Sequence, residues 1–388
     1  MKKCYYILLF VYILSSCKNE TTLNYNTTLV PTSEFINLNL DDRTTTAVKT
    51  LFLHTTKEGK EYIVFQNEDQ NEIQIYELPS CELIRKIKFQ EEGPEGVGKF
   101  IGFYITDLNN YILTRPDRTL IYFGDSCGHI RKQINYQYTD SKEYLIPGVS
   151  ATATFGPIAI ASNSLLLTQL LNPYFGNKIL EKAPVCIAID TIRKITKALP
   201  FHFPPIKSET DILKNKMVGN EYSYSRCFNG KQFVYSFSFD EKLYVTSLWH
   251  DTIITKEVKS KYIDHLQTLE DYSQTALKKM CEIAMYRNIV YDPFRQIYYR
   301  IVYPEVEVEE SNTNDYRTQL EYGHKKFAII ILDKDFNILG ETVFPEYIYN
   351  PMIMFVRKDG LYISRSHYKN PDYDDSLLCF ERLKLETE

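Results

Sequence analysis

Near its start the chain has no apolar run long enough to cross a membrane. Tyr5 to Leu14 is almost wholly apolar, but about ten residues fall short of the roughly twenty that a transmembrane helix needs. No Cys-x-x-Cys pair occurs, which argues against a structural zinc site. The seven histidines show no metal-ligand spacing, so neither a metal nor any other cofactor is expected. Basic residues are not in excess: a formal net charge of −5 leaves no electrostatic footprint for nucleic acid. Tryptophan occurs once, at Trp249. What is present is a globular balance of 44% hydrophobic and 24% charged residues, with 31 tyrosines. Tyrosine suits half-buried strands and also stacks on sugars.

The amino terminus has its own logic. Lys2 and Lys3 precede the apolar run, and Leu14-Ser15-Ser16-Cys17 follows it. A basic start, a short apolar stretch and small residues are the layout of a secretory signal peptide, here residues 1–16. Leu-Ser-Ser-Cys resembles the lipobox of bacterial lipoproteins. That resemblance implies cleavage before Cys17, acylation of Cys17 and attachment to a membrane through its acyl chains. Each buried methylene contributes about 0.8 kcal/mol, so several chains together hold stably. Lys18 stands where an aspartate would signal inner-membrane retention, and Lys18-Asn19-Glu20 partly matches the surface-display signal of Bacteroidota lipoproteins. The expected place is therefore the outer membrane of a bacterial envelope, facing the periplasm or the surface. Beyond Cys4 and Cys17, six cysteines remain: Cys81, Cys127, Cys186, Cys227, Cys281 and Cys379. Export permits disulfides, but the spacing reveals no pairing, and buried free thiols fit equally well.

From about residue 45 the sequence reads as short strands separated by polar turns. Ile73 and Ile75 alternate with Glu72 and Gln74, the period of a half-buried strand. The pattern recurs in six sets. Ile-Arg-Lys opens the last strand of three of them, at Ile84, Ile130 and Ile192, and Asp190-Thr191-Ile192 is echoed by Asp251-Thr252-Ile253. Repeats of this length with four short strands each predict a β-propeller. The expected architecture is all-β: a six-bladed ring over residues 33–388, after a tether at 17–32. The sixth set lacks an outer strand, and Ser33 to Leu40 is a strand without a set, so it is expected to complete that blade and close the ring. Closure removes an open sheet edge. With its lipobox, its blade pattern and Gly93-Pro94-Glu95-Gly96-Val97-Gly98 between the first two sets, the chain resembles the uncharacterised six-bladed propeller lipoproteins of Bacteroidota. The resemblance implies the fold and lends no catalytic residues.

Connections between third and fourth strands are short, as at Pro79 to Glu82, Gly124 to Gly128, His250-Asp251 and Lys334 to Asn337. Those on the other face are long, as at Leu171 to Pro184, Pro204 to Asn220, Ile263 to Arg287, Pro304 to Lys326 and Tyr368 to Asp375. Insertions gathered on one face point to a binding face. One of them, about 264–285 between blades four and five, has helical spacing through Leu266, Leu269, Tyr272, Ala276, Met280 and Ala284, with Asp264 as cap. Glu305 to Glu310 reads as an extended hairpin with Glu305, Glu307 and Glu309 on one face, either a solvated edge or a calcium site.

Gly124-Asp125-Ser126-Cys127-Gly128 fits the Gly-x-Ser-x-Gly nucleophile pattern, but that elbow needs a helix after it. A strand follows here, so a structural turn is expected and Ser126 is no nucleophile. Trp249-His250-Asp251 is likewise read as a turn and a packing element. The candidate ligand site is a channel mouth formed by Arg115, Tyr174, Arg365, His367 and Tyr368, the last three at the end of blade six. These readings favour a binding or assembly module for a glycan, a peptide or a partner protein, rather than an enzyme. The alternative is a propeller lyase, glycosidase or lactonase acting on envelope carbohydrate, which needs paired carboxylates or a metal near the axis.

Overall fold

The computed structural model describes residues 26–145, 156–169, 184–204, 223–267 and 274–387. Its strands form six antiparallel sheets of four, the six-bladed propeller expected above. A clasp strand, β1 (Thr27–Asn39), comes first. Blade one is β2 (Leu51–Thr55), β3 (Glu61–Asn67), β4 (Glu72–Leu78) and β5 (Glu82–Lys88). Blade two is β6 (Phe103–Asp107), β7 (Asn110–Thr114), β8 (Leu120–Asp125) and β9 (Ile130–Asn135). Blade three is β10 (Ala159–Ala161), β11 (Ser164–Thr168), β12 (Cys186–Asp190) and β13 (Ile195–Ala198). Blade four is β14 (Tyr224–Phe228), β15 (Gln232–Phe237), β16 (Lys242–Ser247) and β17 (Ile253–Glu257). Blade five is β18 (Met285–Asp292), β19 (Ile297–Tyr303), β20 (Ala328–Leu332) and β21 (Ile338–Val343). Blade six is β22 (Asn350–Arg357), β23 (Gly360–Ser364) and β24 (Leu377–Thr387), completed by β1.

Each blade's first strand is innermost: β2 touches β6 on one side and β22 on the other, and β14 touches β18. The outermost strands are wet, and every residue of β17 is exposed. Between them the middle strands are buried on both faces, and the two-residue period of a strand decides which neighbour each side chain meets. In β3, Tyr62 and Val64 pack toward blade two, whereas Ile63 and Phe65 pack toward blade six. The result is a ring of apolar seams, one between each pair of adjacent blades, including six and one.

Ring closure extends further than the alternation suggested. β1 pairs with β24 from Thr27↔Thr387 to Asn39↔Leu377, so it begins six residues before Ser33 and takes in the end of the expected tether. Its register shifts between Pro31 and Phe35, where Ser33 has φ 56° and its N–H donates to Glu381. Leu29, Ile36 and Leu38 turn into the core, and Arg382 pairs with Glu34 across the two strands.

Two buried arginines stitch blades together. Arg300 in β19 reaches into blade four, donating to the carbonyls of Asp240 (2.7 Å), Glu241 (2.8 Å) and Val258 (2.8 Å) and to Ser236 Oγ (3.0 Å). Its guanidinium lies 3.6 Å from the centre of the Tyr286 ring. Arg226 in β14 does the same for blade three through the carbonyls of Leu166 (2.7 Å) and Pro157 (2.9 Å), and also donates to Tyr235 Oη and Cys186 Sγ. Neither has a carboxylate partner among the described contacts.

Among the described residues two helices interrupt the β pattern. α1 (Gln274–Glu282) lies within the insertion expected at 264–285, but it stops at Glu282, and Met285 already begins β18. α2 (Thr313–Tyr322) was not anticipated. It follows Glu305–Glu310, which does not form the expected hairpin: the segment pairs with no strand. Val308 instead packs with Cys281 of α1 and Tyr316 of α2 in a small apolar cluster. Asn312 caps α2, its side chain accepting from the N–H groups of Asn314 and Asp315. All six described cysteines are free. No described helix is long and apolar enough to cross a membrane.

Candidate functional site

Antiparallel strands send successive connections to alternating sides of the ring. One side receives the first-to-second and third-to-fourth connections, and these are turns of two to five residues in every blade. The other receives the long ones, such as 89–102, 304–327 and 365–376, together with both helices. These are called here the turn side and the loop side.

On the loop side the segment after β23 meets α2. Tyr368 donates its hydroxyl to Asp315 Oδ1 (2.7 Å), and Lys369 Nζ lies 3.3 Å from Asp315 Oδ2. Burial opposes the charge on Asp315, but hydrogen bonds from Tyr368, Ser311 and Lys369 outweigh it and hold the carboxyl below its ordinary value. Lys369 also lies over the rings of Tyr347 and Tyr368. Tyr347 donates to Glu309 Oε2 (2.7 Å), and Lys325 pairs with Glu309 at 3.0 Å. The Tyr347 hydroxyl is the main reason that the Glu309 carboxyl sits at about 2. Glu309 therefore ties a loop to Tyr347 and Lys325. No group of three or more metal-ligating side chains occurs among the described residues.

Of the candidate ligand residues, Arg365, His367 and Tyr368 do come together here, but they are occupied with one another's surroundings. β23 ends at Ser364, so Arg365 and His367 do not share a strand face. Arg365 lies between Asp372 (3.4 Å) and Glu381 (3.7 Å), over the Phe35 ring. His367 is fully buried between Tyr347 and Tyr368, with Nε2 3.3 Å from the Gly323 carbonyl and Nδ1 accepting from Lys369 N–H. It offers no surface to a ligand. Arg115 stands apart from this group: Asp117 grips it bidentately, and it donates to the Val97 carbonyl (2.9 Å), bracing the Gly93–Gly98 loop. Tyr174 and Cys17 lie outside the described residues. At Gly124–Gly128 a strand does follow. Asp125 Oδ1 accepts from Cys127 and His129 N–H, and Gly128 at φ 84° sits against the Lys88 carbonyl, as a tight turn requires.

What the sequence did not single out is a cleft beside α2. It has a volume of about 350 Å³ and runs between Thr318, Glu321 and Tyr322 on α2 and Lys49, Gln66, Glu68 and Asp69 of blade one. Lys49 Nζ bridges its walls, 3.2 Å from Glu68 and 3.9 Å from Glu321. Gln66 is held at its floor by the Phe100 carbonyl (2.7 Å) and by Gly102 N–H (2.9 Å). The floor is thus a rigid strand and the rim an inserted helix.

Burial drives three imidazoles below their ordinary value of 6.5, His250 and His324 to about 3 and His367 to about 4. The folded chain then binds fewer protons than the unfolded one, so stability is full above about pH 6.5 and falls as the pH drops toward 4. Each histidine contributes about 1.4 kcal/mol per pH unit in that window. Urea midpoints measured from pH 7 to 4.5 should fall steeply, and His367→Gln should flatten the slope. A midpoint indifferent to pH over that range would contradict the buried, neutral assignment.

The model of a family described as a domain of unknown function, DUF4221, matches residues 23–343. The crystal structure of a member of that family from Bacteroides vulgatus superposes with a TM-score of 0.78 at 25% identity, covering 94% of this chain and 100% of its own. A Bacteroides fragilis protein described as exported superposes with a TM-score of 0.56 at 10% identity, covering 95% and 98%. None of the curated proteins matches this chain.

Proposed function

Because the chain belongs to the DUF4221 family, a propeller family with no assigned chemistry, we propose that it is a recognition or assembly module of the bacterial envelope. In this reading Cys17 carries acyl chains that tether it to the outer membrane, and the loop side holds a glycan, a peptide or a partner protein. One observation carries the reading. Among the described residues both helices and the long connections stand on one side of the ring, and the other side is tight turns. A ring sealed by apolar seams presents loops without having to move, which suits binding.

The cleft beside α2 is where engagement is proposed. Glu68, Asp69 and Glu321 outnumber Lys49 there, so a ligand presenting amines or hydroxyls fits better than an acidic one. The same carboxylates are what a glycosidase would require, yet Glu68 and Glu321 both spend their charge on Lys49. A photo-crosslinking residue at Thr318 is expected to capture a protein or glycan neighbour on intact cells, whereas one at Lys57 on the turn side is not. Glu68→Gln with Glu321→Gln should weaken capture by about tenfold, the loss of one or two charged hydrogen bonds. Equal capture from both sides would end the loop-side assignment. Glycan cleavage abolished by Glu68→Gln would replace binder with enzyme.

A further inference from the structure

The start of the clasp and the long loops lie on opposite sides of the ring. β24 runs from the loop side to the turn side, and β1 is antiparallel to it, with Thr27 beside Thr387 and Asn39 beside Leu377. The chain therefore enters the domain on the turn side. The entry point lies at the rim against blade five, where Leu29 N–H donates to Thr342 Oγ1 (2.8 Å) and Thr27 lies against Gly340. Ten residues separate Thr27 from Cys17, and ten residues span at most about 36 Å. Whatever anchors Cys17 is held close to the turn side.

The turns on that side carry unusual tips. Along blades three, four and five, Ile192 is 69% exposed, Trp249 39% and Phe294 54%. Ile253 and Ile254 follow Trp249 on the outermost strand and are also exposed. Turn tips of a soluble ring are ordinarily polar, and large apolar side chains at the turn tips of three consecutive blades mark a contact surface, while the loop side exposes Ile101, Tyr138, Tyr144 and Tyr262. Basic residues stand among them, Arg193 and Lys194 beside Ile192, Lys231 on blade four and Lys358 on blade six, together with the carboxylates of Asp251, Asp335 and Asp359. Apolar and aromatic tips ringed by Lys and Arg are the composition of a surface that lies on an anionic bilayer.

From the tether's entry point and these tips together we infer that the turn side is a membrane-contact face. Ile192, Trp249 and Phe294 seat at the headgroup boundary, and Arg193, Lys194, Lys231 and Lys358 meet lipid phosphates. This rests on the reading that Cys17 is acylated, and it adds an orientation to it. The acyl chains hold the domain at the bilayer, the apolar tips fix which side faces down, and the cleft beside α2 points away from the lipid toward its ligand.

Trp249 is the only tryptophan, so its emission reads the contact directly. The acylated protein is reconstituted on vesicles of phosphatidylethanolamine with a minor share of phosphatidylglycerol, some of it carrying bromine-labelled acyl chains, and vesicle association is followed by flotation. Expected are strong quenching of Trp249 on the labelled vesicles and a smaller effect after Ile192→Ser with Phe294→Ser, by about half or more. A Trp249→Phe chain with Tyr138→Trp on the loop side should float equally well and show no quenching. Flotation with Trp249 unquenched overturns the contact face and leaves the anchor standing. A Cys17-intact chain that fails to float overturns both.

Discussion

Arg300→Ala is expected to destabilise the fold by about 3–5 kcal/mol, the upper range for breaking a buried hydrogen-bond network with a single substitution. The loss has two parts. The carbonyls of Asp240, Glu241 and Val258 lose a donor, and each carbonyl left unpaired in a buried site costs about 1–3 kcal/mol. The void beside Tyr286 adds to this, because the ring loses the guanidinium stacked on it. Desolvation lowers the Arg300 pKa to about 10, so the group stays charged at neutral pH and its carbonyl partners offset its burial. Arg300→Lys should recover little, since an ammonium cannot reach both ends of so wide a carbonyl set. The check is the denaturant midpoint at pH 7.5. A change below about 1 kcal/mol for the alanine variant would show that water or rearranged backbone satisfies those carbonyls.

Loss of the clasp should be larger still. Removing residues 26–39 bares the whole edge of β24 and uncovers the seam between blades six and one, where Ile36 and Leu38 pack with Leu378 and Phe380. The buried side chains of Leu29, Ile36 and Leu38 alone contribute on the order of 5 kcal/mol by apolar burial. The truncated chain is expected to elute as aggregates and to lose cooperative unfolding. A synthetic peptide of residues 26–40, added in trans, should restore a monomer, which separates the absence of a clasp from general misfolding. A truncated chain that remains monomeric with an unchanged melting point would mean that the ring closes without it.

The sequence was most legible where a strand has one wet face. The outer strands announced themselves, as at Glu82–Lys88 and Ile130–Asn135, whereas Glu72–Leu78, which reads as half-buried, is a middle strand with Glu72 and Gln74 buried as well. The innermost strands were mostly missed. β10 is only three residues long, and β14 (Tyr224-Ser225-Arg226-Cys227-Phe228) carries polar groups that are buried rather than exposed, so it shows no alternation to read. The Glu-Val alternation at Glu305–Val308 did report which side chains turn inward, since Val308 is buried. It did not report that no partner strand exists, because pairing is a property of the neighbour. α2 left a signal that was not used: Asn312, with Asn314 and Asp315 following, is an N-cap pattern.

The candidate site was less legible for a related reason. Arg365, His367 and Tyr368 were picked for their chemistry on a long loop, and they do meet, but His367 is withdrawn from solvent by Tyr347 and Gly323, residues that no local pattern links to it. Lys49, Glu68 and Glu321 are ordinary surface residues in sequence, and only the packing of α2 against blade one turns them into a cleft. An arginine in the middle of Ile297-Tyr298-Tyr299-Arg300-Ile301-Val302-Tyr303 was the visible clue to the buried stitch between blades four and five.

Thr27 and Thr387 face each other across the clasp, 360 positions apart in the sequence. Of the described strands the first in the chain is accordingly the last to find its place, and until β24 is there to receive it the blades stand in an open arc with both ends sticky. Loop closure over so long an interval makes assembly slow. Holding the young chain apart from its neighbours during that wait is a task the cell has to meet, and it sets a chaperone requirement that the finished ring gives no hint of.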